Sequence, residues 1–407
     1  MGMAKDTRVT RREALGLGAG SAVFAALGGL NGAALHRLLE LLRQRAAPAE
    51  PAAPVDPVDA ELAVRGRSPA ELEGTLDGLA TLVTPTRLFF VRTHDDPPVV
   101  DPARWRLEVT GAVARPLSLS LEDLRQRPQM LRLAVLQCAG NGRAFHAPRV
   151  PGAQWQKGAC GQAWWAGPSL AALLDEADAA PDAAFVNLAG ADRMAMPKAP
   201  AYVRSIPLDR ARHETSIVAV EMNGDPLPPL HGGPARLCLP GWTGQNWMKW
   251  ITRIEVAREP LKDFYAATAY RIPTSPIEPG AAPAATMPVT ENVVKSIIAR
   301  PADGAVLEAG RGQLVVGVAF SGLTSVAGVD VSTDGGKTWQ PALLEGDETP
   351  GAWKVFRLPF RPTQAGPVTI LSRATDALGR TQPDASPWNP GGYLWNAVDR
   401  VTCEARL

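Results

Sequence analysis

The sequence has little cysteine and no excess of either charge. Its four cysteines, Cys138, Cys160, Cys238 and Cys403, form no CxxC pair. This spacing excludes the usual zinc-ribbon, iron–sulfur and covalent c-type haem motifs. The 42 Lys and Arg residues nearly balance the 41 Asp and Glu residues, so no global field would draw the chain to nucleic acid or to an anionic membrane. Any cationic site must therefore be local, and we expect no nucleic-acid partner.

The residues that are abundant indicate a strand-rich protein of more than one domain. The chain has 407 residues, of which 45% are hydrophobic, so it can bury the cores of two domains. Its 38 prolines and 38 glycines, together with few long helical patterns, favour loops and strands over a helical bundle.

The N-terminal residues predict export. Arg11 and Arg12 precede an uncharged stretch of Gly, Ala and Leu, which is the pattern of a twin-arginine signal. An amphipathic or anchoring helix is the alternative, since no single A-x-A cleavage site follows. We predict a signal over residues 1–45, with retention as an N-terminal anchor left open, and a linker with an N-terminal extension over 46–79. The expected location is the periplasm or the exterior.

The next part of the chain, residues 80–270, is predicted to be an α+β domain. Strand-like apolar runs alternate there with short helices. One helix is predicted at Ser120, where SLED resembles a capping box, and another near Ser169, where the leucines share a face. Prolines then concentrate in residues 271–290, which we interpret as a linker between domains.

Residues 291–407 carry a different pattern. Short strands are separated by turn residues, and Asp334, Gly335 and Gly336 mark a hairpin. This pattern favours an all-β, immunoglobulin-like sandwich. The predicted fold is thus an α+β domain followed by an all-β immunoglobulin-like domain.

The segment LQCAGNGR, residues 136–143, presents Cys138 directly after an apolar run. Gly140, Asn141 and Gly142 tolerate positive φ, so the loop can turn sharply and bring its backbone close to a bound group. A lone cysteine is most often a buried apolar residue. Arg143, however, would favour the thiolate, which is the form that binds a metal. A Cys–His catalytic pair stays open from the residues alone.

The order of several motifs resembles the sulfite oxidase family of molybdenum enzymes. The resemblance extends over roughly residues 80–400 and rests on these segments in order: FFVRTH, LQCAGNGR, GAQW, AYVRSIPLDRA, VEMNGDPLPPLHGGPARLCLPG, NWMKWI and VSTDGGKTW. It implies that residues 80–270 form a molybdopterin-binding catalytic domain and that the C-terminal sandwich is of the family's dimerisation type. It also implies that Cys138 is the single protein ligand of molybdenum, held with a pyranopterin cofactor.

The resemblance also assigns roles to individual residues. Arg92 and Arg143 are expected to form the cationic floor of an oxyanion pocket, with Trp155 as a wall and Tyr202 as the active-site tyrosine. The expected contacts of the pterin and its phosphate are His94, Asp192, His231, Arg236 and Lys249. Arginine forks suit an oxyanion, and Arg and Lys suit a phosphate.

Two departures from the family pattern make the predicted pocket less basic. Gly142 stands where many members have a second arginine, and Pro151 stands where animal members have lysine. We also expect no haem in the chain, because residues 33–79 contain a single histidine, His36. Electrons would then leave to a separate carrier, for which a c-type cytochrome is the expectation, and a homodimer is expected from the C-terminal domain.

The function that the resemblance implies is oxidation of sulfite to sulfate. One alternative is a related enzyme that acts on another sulfur species or reduces an oxyanion or a sulfoxide. A second alternative is a degenerate member that serves as a secreted binding module, against which the intact Cys138 argues.

Overall fold

The computed structural model describes residues 62–66, 70–192 and 199–407. Within these residues the protein is mostly strand, with few helices. None of the helices described is both long and apolar enough to span a membrane. The predicted signal or anchor over 1–45 and the first part of the linker lie outside the described residues, so export stays a prediction.

Sixteen described strands precede residue 290, and nine follow it. The first group is β1 (Ala63–Gly66), β2 (Glu71–Glu73), β3 (Val91–Arg92), β4 (Leu107–Gly111), β5 (Leu117–Leu119), β6 (Gln129–Gln137), β7 (Cys160–Pro168), β8 (Phe185–Gly190), β9 (Val203–Pro207), β10 (Ile217–Ala219), β11 (Glu221–Met222), β12 (Asp225–Pro226), β13 (Arg236–Cys238), β14 (Ile251–Ala257), β15 (Arg271–Pro273) and β16 (Thr286–Pro288). The second group is β17 (Lys295–Arg300), β18 (Val306–Glu308), β19 (Gln313–Phe320), β20 (Val326–Ser332), β21 (Gln340–Pro341), β22 (Leu343–Glu345), β23 (Lys354–Phe360), β24 (Gly366–Asp376) and β25 (Asp399–Arg406).

The α-helices described are short: α1 (Leu121–Gln126), α2 (Leu170–Glu176) and α3 (Leu208–Ala211). The capping box at Ser120 is confirmed, because its side chain accepts from the Asp123 amide while the Asp123 carboxylate accepts from the Ser120 amide. The helix at Ser169 is also confirmed, and its leucines are buried. Both helices are too short to be stable alone, so tertiary packing maintains them.

Two sheets form the body of the first domain. One has the strand order β5-β4-β14-β8-β9, and the other has the order β12-β11-β7-β6. The long antiparallel pair of β6 and β7 runs from Gln129 opposite Pro168 to Gln137 opposite Cys160. From Leu133 onward β6 is buried on both faces, which explains its continuous apolar run. Cys138 follows directly at the end of this rigid strand.

The second domain consists of two sheets that share one core. Their strand orders are β17-β19-β23-β22 and β18-β25-β24-β20-β21. Buried side chains from both sheets meet between them, including Ile298, Phe356, Ile370 and Val401. The hairpin at Asp334 is confirmed, since β20 and β21 pair in antiparallel fashion on either side of it. The sandwich is therefore present, while its immunoglobulin-like topology stays a prediction.

The outer face of the four-stranded sheet is buried against the first domain. Val318 and Phe320 of β19 pack in one apolar cluster with Val135 of β6 and Cys160 of β7. This contact lies beneath the end of β6, so the second domain supports the loop that carries Cys138.

The predicted linkers contain regular structure. The described part of residues 46–79 includes β1 and β2, which form an antiparallel sheet with β3. The Pro-rich segment 271–290 contains the antiparallel pair of β15 and β16. In both segments backbone pairing was missed because prolines and charged residues dominate the local pattern.

Candidate functional site

A cavity of about 660 Å³, including its open mouth, lies at the end of β6. Eight of the predicted site residues line it: Arg92, His94, Cys138, Asp192, Tyr202, His231, Arg236 and Lys249. Tyr270, which the sequence analysis did not select, lines it as well. The cavity is therefore built from segments that are up to about 180 positions apart in the chain, and no single motif specifies it.

Cys138 is half-buried and reaches this cavity from a tightly held loop. Its amide donates to the Ala159 carbonyl at 2.9 Å, and its carbonyl accepts from the Asn141 amide at 2.9 Å. Gly142 adopts φ 96°, and a Cβ there would come within 2.8 Å of the Trp395 ring. Glycine is thus required both for the turn and for close packing. The loop fixes the position of the thiol without covering it.

The cavity that Cys138 reaches is also lined by a cation and a tyrosine hydroxyl. Arg92 approaches Glu71, with 3.6 Å between Nε and Oε1, but its Nη1 is buried and has no hydrogen-bond partner. The Tyr270 hydroxyl lies 2.7 Å from Nε2 of His94. Burial raises the pKa of Tyr270, although the positive charge of Arg92 opposes the shift. The hydroxyl therefore stays protonated and can donate a hydrogen bond.

Tyr202 lies in the same cavity, but its polar atom is already used. Its hydroxyl donates to the Gln245 carbonyl at 2.8 Å. Its ring stacks on His94, with 3.9 Å between the ring centroids. Burial of His94, with contributions from Arg92 and Lys249, holds its pKa well below the usual value. His94 is thus a neutral ring fixed between two tyrosines.

Another part of the lining is strongly cationic. The Arg236 guanidinium donates to the carbonyls of His231 and Trp247, at 2.7 and 3.2 Å. Among the described residues, its Nε has no hydrogen-bond partner, and neither has the buried Oδ2 of Asp192. The Lys249 ammonium donates to the Leu230 carbonyl at 3.2 Å and lies 3.8 Å from the centroid of the Trp250 ring. These contacts orient the cations without neutralising them.

The pKa values in this part of the cavity reflect burial first, with smaller contributions from neighbouring charges. Burial, together with Arg236 and Lys249, lowers the pKa of His231 to about 3. Burial lowers the pKa of Lys249, and Arg236 adds to that shift. Burial raises the pKa of Asp192 to about 6, although Lys249 opposes the shift. Such a site favours an anion, because an anion would compensate the desolvated cations.

The two remaining predicted residues lie outside the cavity lining. Arg143 is buried, and it donates from Nε to the Gly391 carbonyl at 3.0 Å and from Nη1 to the Ala153 carbonyl at 3.1 Å. Trp155 is fully buried, and its Nε1 has no hydrogen-bond partner. The structure therefore gives Arg143 backbone contacts around the cysteine loop, and it places Trp155 in the core.

Residues 389–396 of the second domain close over the cysteine loop. The Leu394 amide donates to the Ala139 carbonyl at 2.8 Å. The Arg143 guanidinium lies over the Tyr393 ring at 5.3 Å, and the rings of Tyr393 and Tyr270 are 5.4 Å apart. The second domain thus contributes directly to the surroundings of Cys138.

Sequence reasoning missed Tyr270 and Lys295, the latter a buried residue that contacts the cysteine loop. Tyr270 is the last residue of the predicted catalytic domain, directly before the Pro-rich segment 271–290, and it adopts a positive φ of 53°. Lys295 begins a strand of the second domain, for which no chemistry was expected. An isolated lysine within an apolar strand is the one signal that could have drawn attention to it.

Comparisons with known proteins show which family the chain resembles. Residues 94–265 match the family described as "Oxidoreductase molybdopterin binding domain", and residues 287–405 match "Mo-co oxidoreductase dimerisation domain". Sulfite oxidase of Gallus gallus is 36% identical over 361 residues, which cover 83% of this chain and 77% of that protein. Mitochondrial sulfite oxidase of Mus musculus is 37% identical over 339 residues, and the match covers 78% of this chain. The chain spans 61% of the length of that mouse relative.

A solved structure shares the fold over nearly the whole chain. The sulfane dehydrogenase SoxCD from Paracoccus pantotrophus superimposes with a TM-score of 0.70 at 25% sequence identity. The match covers 88% of this chain and 95% of that chain. Enzymes described as acting on different sulfur compounds are therefore similar to this protein.

Proposed function

Because the chain belongs to the sulfite oxidase family of molybdopterin oxidoreductases, we propose that it oxidises sulfite to sulfate and passes the electrons to an external acceptor. The observation that carries this proposal is the half-buried Cys138 thiol in a cavity whose charged lining, among the described residues, consists of Arg92, Arg236, Lys249 and a single carboxyl, Asp192. A soft ligand and an excess of cations suit a thiolate-bound metal and an anionic cofactor tail.

The residues present fit a molybdopterin. Buried polar atoms without a partner, Arg92 Nη1, Arg236 Nε and Asp192 Oδ2, belong to residues that line the cavity. Native proteins rarely leave such atoms unpaired, so a polar ligand is expected to satisfy them. Cys138 would bind the metal, while His94, Asp192, His231, Arg236 and Lys249 would hold the pterin and its phosphate. When bound, this cofactor supplies the two-electron redox chemistry.

The protein's own residues would bind and orient the substrate. Arg92, which lines the same cavity as Cys138, offers an Nη1 without a partner among the described residues, which suits one oxygen of an anion. Arg143 would assist by its positive charge and by holding the cysteine loop through Gly391 and Ala153. Orientation of the anion and stabilisation of its charge are then provided by fixed groups.

We propose that Tyr270 transfers protons in the cavity. The sequence resemblance assigned this role to Tyr202. The Tyr202 hydroxyl donates to a backbone carbonyl, whereas the Tyr270 hydroxyl lies next to His94 in the cavity. If Nε2–H of the neutral His94 ring donates to the Tyr270 oxygen, the hydroxyl proton of Tyr270 is free to be donated to a group bound in the cavity. Trp155 would support the wall from behind, since it is buried outside the lining.

A second candidate is oxidation of another sulfur species, such as a protein-bound sulfane. The similarity to the SoxCD structure favours this alternative. Gly142 and Pro151, which leave the pocket less basic than expected for animal relatives, are compatible with it.

The remaining parts of the proposal concern partners and location. A homodimer is supported by the match of residues 287–405 to a dimerisation domain. A c-type cytochrome as acceptor, the absence of haem from the chain and export by the twin-arginine route are proposed from the sequence pattern. Residues 1–45, on which export depends, lie outside the described part of the chain.

The proposed function is tested by metal analysis and steady-state assays of the purified protein. We expect one molybdenum and one pterin per chain, and sulfite-dependent reduction of cytochrome c. Sulfane, sulfoxide and nitrate substrates should be assayed in parallel. Absence of molybdenum after expression in a host that makes the cofactor would contradict the proposal, and faster turnover of a sulfane would favour the second candidate.

A further inference from the structure

A lysine of the second domain reaches the loop that carries Cys138. Lys295 is the first residue of β17, and its side chain is 1% exposed. Its ammonium donates to the Asn141 carbonyl at 3.1 Å and lies 3.3 Å from Oε1 of Gln137. It also lies 5.4 Å from the centroid of the Trp395 ring. The positive charge is therefore buried under the loop, between residues on both sides of the thiol.

Within the described part of the chain, this ammonium has no carboxylate at ion-pair distance. Asp399 pairs instead with Lys157 at 2.8 Å and accepts from the Ile298 amide at 2.7 Å. Burial lowers the pKa of Lys295 to about 8, and nearby thiols and Asp399 offset part of this effect. An unpaired buried ammonium is costly. Its retention therefore requires a compensating charge.

The loop geometry indicates where that charge would be. The Asn141 side chain donates to the same Gln137 oxygen at 3.1 Å, and the Asn141 amide donates to the Cys138 carbonyl. Lys295 thus belongs to a network that encloses the cysteine. A metal-bound thiolate at Cys138 would place a negative charge beside this network.

We propose that Lys295 is a positioning residue that sets the cysteine loop and supplies the buried positive charge opposite the metal-bound thiolate of Cys138, and that it thereby raises the reduction potential of the metal centre. The proposal rests on the molybdenum site of the proposed function. It assigns the second domain an electrostatic role in the redox chemistry, in addition to pairing of subunits.

The expected effect follows from the sign of the charge. A positive charge stabilises the more electron-rich state of the centre, so its removal disfavours reduction. We expect about a tenfold change in the ratio of reduced to oxidised centre at a fixed potential, which corresponds to about 59 mV for a one-electron couple.

The test compares Lys295→Gln and Lys295→Met in the complete, cofactor-loaded protein. Glutamine can still donate to the Asn141 carbonyl, whereas methionine keeps only the length of the side chain. The matched control is Lys354→Gln, since Lys354 is also a buried lysine of the second domain but pairs with Glu348. Molybdenum content, thermal unfolding and a redox titration followed by electron paramagnetic resonance are measured for each variant.

We expect both Lys295 variants to lower the midpoint potential by similar amounts, with the glutamine variant keeping its molybdenum and most of its thermal stability. The control should keep the wild-type potential. An unchanged potential in a molybdenum-loaded Lys295→Gln variant would overturn the electrostatic role. Failure of both variants to fold or to bind molybdenum would also overturn it, because Lys295 would then be a structural clamp alone. Absence of molybdenum from the wild-type protein would overturn both this proposal and the proposed function.

Discussion

The buried charges of the cavity and those of the second-domain sandwich are arranged in opposite ways. In the sandwich, the buried Asp376 carboxylate binds the Arg380 guanidinium at 2.7 Å and the Ser321 hydroxyl at 2.9 Å. In the cavity, the described hydrogen bonds of Arg236 and Lys249 go to backbone carbonyls, and both cations lie near aromatic rings. The buried Asp376 carboxylate is thus paired within the sandwich, whereas the cavity carries polar atoms that await a ligand. Whether buried charges are paired therefore identifies the functional site better than the number of charged residues does.

The strongest test of this comparison is to change one cysteine in each region. Cys138→Ser should abolish sulfite oxidation in a folded protein, because an alkoxide is a harder and far more basic ligand than a thiolate. Cys403→Ser, in the core of the sandwich, is the control and should keep the activity. Steady-state assays and circular dichroism check both variants, and wild-type turnover by Cys138→Ser would refute the metal-ligand assignment.

A second test asks which tyrosine hydroxyl is available in the cavity. Tyr270→Phe should retain the metal and lose rate by about 10 to 1000 fold, if this hydroxyl moves a proton. Tyr202→Phe should cost little rate, because its hydroxyl donates to the Gln245 carbonyl. The turnover number at saturating sulfite is the measurement. Equal losses in the two variants would remove the distinction between the tyrosines.

Substitution of Arg92 and of Arg143 should distinguish a residue that binds the substrate from one that supports the cysteine loop. Arg92→Gln should lower kcat/KM for sulfite by roughly one to two decades, since a charge-assisted hydrogen bond contributes about 1.5–3 kcal/mol. Its melting temperature should change little.

Arg143→Gln should lower both kcat/KM and the melting temperature, because its guanidinium donates to the carbonyls of Gly391 and Ala153. Substrate titrations and thermal unfolding distinguish the two variants. A pure rise in KM for Arg143→Gln, with stability unchanged, would show that its backbone contacts are dispensable.

Stability changes of opposite sign are expected from removing one cation in each region. Lys249→Met should raise the free energy of unfolding of the cofactor-free protein, by about 1–4 kcal/mol, because a desolvated ammonium is replaced by an apolar chain. Arg380→Gln should lower it by roughly 1–3 kcal/mol, because a buried carboxylate loses a charged partner. Denaturant unfolding measures both changes. A loss of stability in Lys249→Met would mean that the cavity is not poised for an anion.

The smallest effect concerns acid stability of the cofactor-free protein. The pKa of His231 is about 3 in the folded state, against an ordinary value of 6.5. Between pH 3 and pH 6.5 the unfolded chain therefore binds more protons than the folded protein does. Stability is therefore lost as the pH falls from 6.5 towards 3. His231→Gln should reduce the loss between pH 6.5 and 5 by about 1–2 kcal/mol. Identical pH profiles for variant and wild type would show that His231 is not held neutral.

Much of the fold was accessible from local patterns in the sequence. The capping box at Ser120, the helix at Ser169 and the hairpin at Asp334 all depend on residues close together in the chain, and the structure contains them. The strands of residues 63–73 and 271–288 were missed, because their pairing partners are determined by tertiary contacts. The prediction of α+β content was too helical, since the described helices have at most seven residues.

By itself, the sequence determined the family, the order of the motifs and the segment that presents Cys138. The formation of a strand that ends in a Gly-rich loop depends on residues close together in the chain, so the sequence alone can predict it. Only the tertiary structure decided which polar atoms are available. It directed the Tyr202 hydroxyl to a backbone carbonyl, left that of Tyr270 in the cavity and placed Lys295 under the cysteine loop. Burial and hydrogen-bond pairing depend on residues from distant segments, and these two properties decide whether a polar side chain holds the fold or serves a ligand.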